Sequence, residues 1–124
     1  MENLFIEGTL RTPSILLEAD KGKIEFSGRS IPENSIEFYK PVVEWVEKYL
    51  EEPNDRTTIL IKLEYFNTSS SKSLYEIFKK FEGVFKSGKN VLVRWFYEQE
   101  DEDMQESGED FRDILKIPFE LIVT

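Results

Sequence analysis

The chain has 124 residues, a length that suits one domain with a sizeable core. Twenty-five acidic residues against sixteen basic ones give a net charge of −9, which argues against nucleic acids and anionic membranes as partners. The sequence has no histidine and no cysteine, which excludes disulfides, thiolate metal sites, cysteine nucleophiles and serine–histidine–aspartate triads.

The apolar segments of the chain favour a cytoplasmic location. None of them reaches the roughly 18 residues that a transmembrane helix needs. The N-terminal residues, Met1 to Phe5, lack the basic start and apolar centre of a signal peptide. Because histidine is the commonest general base and metal ligand, its absence favours a binding or regulatory module without a cofactor over an enzyme.

The first third of the chain predicts a small antiparallel meander. Leu4 to Gly8 and Ser14 to Ala19 are strand candidates, and Asp20 to Lys23 is a hairpin connection with glycine at the left-handed position. From Lys23 to Ser27 apolar and polar residues alternate, as expected for a third strand. Gly28 to Ser35 is predicted to be irregular.

Helices and strands are predicted to alternate in the middle of the chain. A helix ending near Glu52 precedes a strand from Arg56 to Phe66, and a helix from about Ser69 to Ser87 precedes a strand from Asn90 to Glu98. A strand–helix–strand unit of this kind predicts parallel neighbours joined by a right-handed crossover.

The two faces of these central strands differ in polarity. In the first of them, Tyr65 falls on the apolar face that we expect to be buried, and Phe66 on a mixed face with Lys62 and Glu64. The mixed faces predict helices mainly on one side of the sheet. Phe66 and Phe96 share these mixed faces, so they are candidates for an exposed protein interface.

The last quarter of the chain begins with an acidic segment. Gln99 to Gly108 is predicted to be a loop, followed by a short helix from about Glu109 to Leu115 and a last strand from Phe119 to Val123. The carboxylates suggest Ca²⁺ or Mg²⁺ binding, but the spacing of a calcium loop is missing, so a solvated loop is favoured. The complete pattern predicts one α/β domain over residues 1–124, with antiparallel N-terminal strands and a parallel βαβ centre.

The turn from Asn67 to Ser73 is the main candidate site. It leads from an apolar strand into a helix, whose free N–H groups attract negative charge. Asparagine, threonine and serine side chains are preferred as caps at such a start. Phosphorylation is the functional alternative, because a phosphate adds a charge of about −1.5 to −2 and several acceptor oxygens. Nucleophilic catalysis would need an activating base, for which Lys72 is the nearby candidate.

Short motifs in this chain resemble those of a known family. In chain order they are Gly8-Thr9, Thr12-Pro13, Ser27-Gly28, Pro32-Glu33-Asn34, Trp45-Val46-Glu47, Tyr65, Asn67-Thr68-Ser69-Ser70, Trp95-Phe96-Tyr97 and Pro118-Phe119-Glu120. In this order and over nearly the whole chain, they resemble the SiaC family of bacterial regulatory phosphoproteins.

The resemblance implies a fold, a modification and a set of site residues. The fold is expected to be similar to the STAS domain of anti-sigma-factor antagonists, and the expected phosphoacceptor is Thr68. The positions expected to surround the phosphosite and to take part in partner docking are Asn67, Ser69, Ser70, Ser71 and Lys72.

The resemblance also implies partners and an output. They are a SiaB-type kinase, a SiaA-type metal-dependent serine/threonine phosphatase and a SiaD-type diguanylate cyclase. The form unphosphorylated at Thr68 would bind and activate the cyclase, which makes cyclic di-GMP and promotes aggregation or biofilm formation. Three other interpretations stay open: an anti-sigma-antagonist-like switch with a transcriptional output, a metal-dependent enzyme that uses the acidic loop, and a domain whose serines only cap a helix.

Overall fold

A six-stranded mixed sheet and three helices make up the computed structural model, which describes residues 1–124. In chain order the elements are β1 (Leu4–Ile6), β2 (Ser14–Glu18), β3 (Lys23–Ser30), α1 (Ser35–Tyr49), β4 (Arg56–Phe66), α2 (Thr68–Lys86), β5 (Asn90–Tyr97), α3 (Glu102–Ile114) and β6 (Phe119–Val123). No helix is long and apolar enough to cross a membrane.

The order of the strands in the sheet is their order in the chain. β1, β2 and β3 pair antiparallel, and β3 to β6 pair parallel, which confirms the predicted meander and the parallel centre. Gly22, at φ +60°, makes the hairpin between β2 and β3, where a Cβ would lie 2.4 Å from the Arg56 carbonyl oxygen. The crossovers from β3 to β4, from β4 to β5 and from β5 to β6 each lead to the next strand on the same side. Right-handed connections therefore place α1, α2 and α3 on the same face of the sheet.

The core lies between that face and the helices. Along β4, the side chains of Thr57, Ile59, Ile61 and Leu63 are buried, whereas those between them are exposed or half-buried. The other face of the sheet has no helix and carries ion pairs such as Arg94–Glu120. The predicted fold class, with helices on one face of a mixed sheet, is therefore confirmed.

A β-bulge near the end of β4 corrects the predicted faces of two residues. Gly28 of β3 pairs with Leu63, but Arg29 pairs with Tyr65, so Glu64 is one extra residue in β4. The extra residue reverses the alternation. Tyr65, predicted to be buried, is 52% exposed, and Phe66 instead turns inward.

The pairing beyond the bulge also corrects the end of β3. Gly28 to Ser30, predicted to be irregular, continues the strand because Ser30 still pairs with Phe66. Gly28 adopts φ +94°, a conformation that glycine tolerates and that a strand pattern does not reveal. As a result the Ser30 side chain faces the helices and is fully buried.

The acidic segment is a helix, not the loop that was predicted. Asp101 is the N-cap of α3, and its carboxylate accepts a hydrogen bond from the Met104 amide at 3.0 Å. Acidic residues in the first turn interact favourably with the positive end of the helix dipole. Met104, Gly108 and Phe111 form the buried face of α3. The acidic side chains lie on the other faces of the helix, towards solvent.

Candidate functional site

The start of α2 is fixed by Asn67. Its side-chain oxygen accepts a hydrogen bond from the Ser70 backbone amide at 2.9 Å, and the backbone amide of Asn67 donates to the Ser30 carbonyl at 3.0 Å. The first helical hydrogen bond runs from the Ser71 amide to the Asn67 carbonyl. The N-cap therefore ties α2 to the end of β3, and Thr68 is the first residue of the helix.

A buried chain of hydroxyl groups lies beneath this turn. Ser70 Oγ donates to the Ser30 carbonyl at 3.0 Å, and Ser30 Oγ donates to Ser70 Oγ at 2.8 Å. Since the Ser30 hydroxyl is thus used as a donor, it accepts from the Tyr39 hydroxyl, 2.6 Å away. Burial raises the pKa of the Tyr39 phenol to about 12, although its hydrogen bonds with Ser30 and Ser70 act in the opposite direction.

A second contact joins the starts of α1 and α2. Ser69 Oγ donates to the Asn67 side-chain oxygen at 3.1 Å and lies 2.7 Å from Ser35 Oγ, from which it accepts. Ser35 is the first residue of α1, capped by Asn34. The two helix starts are thus held side by side by side-chain hydroxyls.

Thr68 differs from its neighbours, because its side chain is exposed and its hydroxyl makes no hydrogen bond within the protein. Lys72, four residues further along the helix and so on the same face, is also exposed. Ser70 is fully buried and Ser73 nearly so. The structure therefore places these predicted site residues in two groups, with Thr68, Ser69 and Lys72 at the surface and Ser70 inside.

Ser71 has different surroundings from the other serines. It is half-buried and lines a cavity of about 160 Å³ between α2 and α3. The other lining residues are Phe66, Ser107, Asp110, Phe111 and Ile114. Ser71 thus faces α3, away from the contact between α1 and α2.

Two strongly exposed apolar side chains lie at the same end of the strands as Thr68, the carboxyl end of β3 and β4. Leu10 is 88% exposed in the loop between β1 and β2, and Ile36 is 84% exposed at the start of α1, next to Ser35. The amide of Ile31 donates to the Arg11 carbonyl at 2.7 Å, which holds that loop against the end of β3. We call Leu10, Ile36, Tyr65 and Thr68 the Thr68 surface.

The aromatic residues expected at an interface are only half-buried. Phe66 packs edge-on against Trp95, with 5.8 Å between ring centroids, and so belongs to the border of the core. Phe96 lies on the helix-free face of the sheet, where the Lys62 ammonium is 5.3 Å from its ring centroid. No group of three or more aspartate or glutamate side chains is placed to hold a metal ion.

The sequence did not reveal the residues that support the site from outside the turn. Ser30, Ser35 and Tyr39 come from β3 and α1 and lie 29 to 38 residues before Thr68 in the chain. The one available signal is that Ser35 follows Asn34, and asparagine is a residue type preferred at helix N-caps.

Comparisons with known proteins identify the family. The sequence model for the SiaC family regulatory phosphoprotein matches residues 6–124. An uncharacterized protein of Pseudomonas aeruginosa strain UCBPP-PA14 is 35% identical over 119 residues, which are 96% of this chain and 94% of the relative.

Solved structures agree with that match. SiaC of Pseudomonas aeruginosa superposes with a TM-score of 0.92 at 32% identity, over the whole of both chains. A chain in the crystal structure of the diguanylate cyclase SiaD in complex with its activator SiaC, from the same species, gives a TM-score of 0.92 at 34% identity, over 98% of this chain and 99% of that one. The predicted likeness to STAS domains is not tested by these matches and stays a prediction. The chain belongs to the SiaC family of regulatory phosphoproteins.

Proposed function

We propose that this protein is a phosphorylation-controlled switch that binds and activates a diguanylate cyclase when Thr68 is unphosphorylated. The observation that carries the proposal is that the Thr68 hydroxyl is exposed and makes no hydrogen bond to another group of the protein. The structural relative SiaC, which is described as the activator of SiaD, supports the choice of partner.

The position of Thr68 suits a reversible phosphate. A phosphate there lies at the N-terminus of a helix of 19 residues, where unpaired amides and the helix dipole stabilise negative charge. The Lys72 ammonium lies one turn away on the same face. Phosphorylation is therefore compatible with the fold, and its effect falls on the surface.

The surroundings of Thr68 explain why a phosphate would prevent docking. Leu10 and Ile36 expose apolar area that a partner can bury with a gain of roughly 25 cal/mol per Å². A phosphate that docking brought into that contact would lose its hydration without a matched partner, which is costly. The added bulk acts in the same direction, so one modification weakens binding without unfolding the domain.

The remaining parts of the proposal follow from the same role. Residues 1–124 act as one regulatory domain in the cytoplasm and perform no catalysis. A SiaB-type kinase adds the phosphate, and a SiaA-type phosphatase removes it. Asn67, Ser69 and Ser70 set the position of Thr68, while Ser71 and Lys72 border the docking surface.

The test measures activation of a purified SiaD-type cyclase by unmodified protein, Thr68-phosphorylated protein, Thr68→Ala and Thr68→Asp. We expect unmodified protein and Thr68→Ala to bind and activate equally. The phosphorylated form and Thr68→Asp should bind more weakly, by on the order of tenfold or more.

Asn90→Asp is a matched control for the charge of Thr68→Asp. It adds one negative charge at an exposed position at the start of β5, at the opposite end of the parallel strands from Thr68. It should activate like the unmodified protein. Equal affinity of the cyclase for the phosphorylated and unphosphorylated forms would refute the proposal.

A further inference from the structure

The geometry points to Ser69 as a masked second phosphoacceptor, and to Ser35 of α1 as the positioning residue that restricts phosphoryl transfer to Thr68. This inference rests on the proposed function, since it concerns the kinase that modifies the same turn. It assigns a role in site selection to a residue 33 positions before the acceptor.

Exposure alone does not separate Ser69 from Thr68. Both side chains are exposed, and the two residues are adjacent in the first turn of α2. Ser70, by contrast, is fully buried, and Ser71 is turned towards α3. A kinase that reaches Thr68 therefore meets one other accessible hydroxyl in the turn, that of Ser69.

Hydrogen bonding does separate the two. The Ser69 hydroxyl donates its proton to the Asn67 side chain at 3.1 Å, and its oxygen accepts from Ser35 at 2.7 Å. The Thr68 hydroxyl has neither contact. Both the proton and a lone pair of Ser69 Oγ are thus committed, whereas those of Thr68 Oγ1 are available.

The chemistry of transfer requires what Ser69 lacks. The acceptor oxygen forms a bond to the γ-phosphorus of ATP, the bond from that phosphorus to the β-phosphate oxygen breaks, ADP leaves, and the hydroxyl proton passes to a base of the kinase. Ser69 must first release its hydrogen bonds and turn outward. One net hydrogen bond corresponds to a rate factor of about 2 to 12.

Ser35 is the informative residue to change. Asn67 also caps α2, so its loss would disturb Thr68 and Ser69 together. Ser35 lies on another helix, and α1 keeps its own cap at Asn34 when the Ser35 hydroxyl is removed. Its other side-chain contact is a long one, at 3.4 Å from Ser70 Oγ.

The experiment measures site-resolved phosphorylation rates by mass spectrometry, with a SiaB-type kinase and ATP. The variants of residues 1–124 are wild type, Thr68→Ala, and Thr68→Ala combined with Ser35→Ala, Ser35→Thr or Ser107→Ala, the last at a half-buried serine of α3 outside the proposed docking surface. We expect the Ser69 rate in the Ser35→Ala double variant to exceed that in Thr68→Ala by about 2- to 12-fold. Ser35→Thr, which keeps the hydroxyl, should restore the low rate, and Ser107→Ala should leave it unchanged.

The outcomes separate this inference from the proposed function. Phosphate on Thr68 of the wild type, with equal Ser69 rates in Thr68→Ala and its Ser35→Ala double variant, overturns the role of Ser35 alone. A wild type that gains no phosphate on Thr68 overturns the proposed function and this inference with it. An equal increase from Ser107→Ala would show general loosening around the turn and would also overturn the role of Ser35.

Discussion

The hydroxyl oxygens of Ser30 and Tyr39 lie 2.6 Å apart in the interior, and the Ser30 hydroxyl in turn donates to Ser70 at 2.8 Å. This relationship connects the last residue of β3 to the second turn of α1 and the first turn of α2. No buried side-chain nitrogen or oxygen lacks a hydrogen-bond partner, so the chain of hydroxyls is fully satisfied. Such a network favours one arrangement of β3, α1 and α2, and the two helices carry Ile36 and Thr68 of the Thr68 surface.

Tyr39→Phe removes the donor at one end of this network. Ser30 keeps its contact with Ser70, and the aromatic ring still packs against Phe26 and Phe38. We therefore expect the free energy of unfolding at pH 7 to fall by about 1 kcal/mol. Urea unfolding followed by circular dichroism measures this change. A loss above roughly 4 kcal/mol would mean that the ring packing had also changed.

The same substitution should alter stability at alkaline pH. The pKa of Tyr39 is about 12 in the folded protein and 10.0 for an unperturbed tyrosine, so the unfolded chain loses this proton first. The contribution of the protonated Tyr39 phenol to the free energy of unfolding is complete below pH 10 and is lost as the pH rises towards 12. At pH 11 the wild type should have lost about 1 kcal/mol more than Tyr39→Phe, relative to pH 9. Tyr75→Phe, at an exposed tyrosine of α2, is the control and should follow the wild type.

Alanine substitutions of Asn67 and Thr68 should differ in their effect on the free energy of unfolding. Asn67→Ala removes the side-chain cap of α2 and should lower the free energy of unfolding by about 1 kcal/mol. Thr68→Ala removes a hydroxyl without an intramolecular partner and should change it by less than about 0.5 kcal/mol. Thermal unfolding of both variants checks this. A large loss from Thr68→Ala would contradict the view that this hydroxyl is not held by the fold.

The limits of the sequence are clear at β4. Alternation of apolar residues located the strand from Arg56 to Phe66 to the residue, because burial of one face imposes a period of two. It misplaced Tyr65 and Phe66, since a bulge arises from pairing with β3, and pairing is not encoded within β4 alone.

The charge of α3 led to another wrong prediction, and part of the site depends on long-range contacts. The many carboxylates of α3 suggested a loop, although Asp101 is a good cap and Met104, Gly108 and Phe111 have helical spacing. The capping role of Asn67 could be predicted because a cap acts on the next residues in the chain. The Ser35–Ser69 contact could not, because it depends on how two crossover helices pack.

Glu82 fastens α2 to the segment that leads into β6. Its carboxylate is 3% exposed, accepts from the Lys79 ammonium at 2.8 Å and accepts from the Lys116 amide at 2.7 Å. These two hydrogen bonds, with Lys79 the larger cause, lower the pKa of Glu82. A lowered folded-state pKa stabilises the protein above the ordinary pKa of glutamate, and this contribution is lost as the pH falls through the folded-state value.

Glu82→Gln should therefore reduce stability at pH 7 by about 1 kcal/mol and weaken the decline in stability below about pH 4.5. Glu76→Gln removes an exposed carboxylate from the same helix and is the matched control. Urea unfolding at several pH values between 3 and 7 compares the three proteins. If Glu82→Gln and wild type lost stability in parallel on acidification, the carboxylate would not have the proposed role.

Gly108 and Gly83 are two helical glycines for which opposite effects of alanine are expected. A Cβ on Gly108 in α3 would lie 2.6 Å from Trp95 Cδ1 and 2.7 Å from Leu121 Cδ2, inside the core. Gly108→Ala should thus destabilise the protein by about 1–3 kcal/mol and disturb the hydrogen bond from the Trp95 indole to the Met104 carbonyl.

A Cβ on Gly83 in α2 meets no atom within 4 Å, so Gly83→Ala should stabilise by up to about 1 kcal/mol through helix propensity. Thermal unfolding and tryptophan fluorescence distinguish the two variants, because the Gly108 substitution alone alters the surroundings of Trp95. Destabilisation by both alanines to the same degree would show that close packing at Gly108 is not the cause.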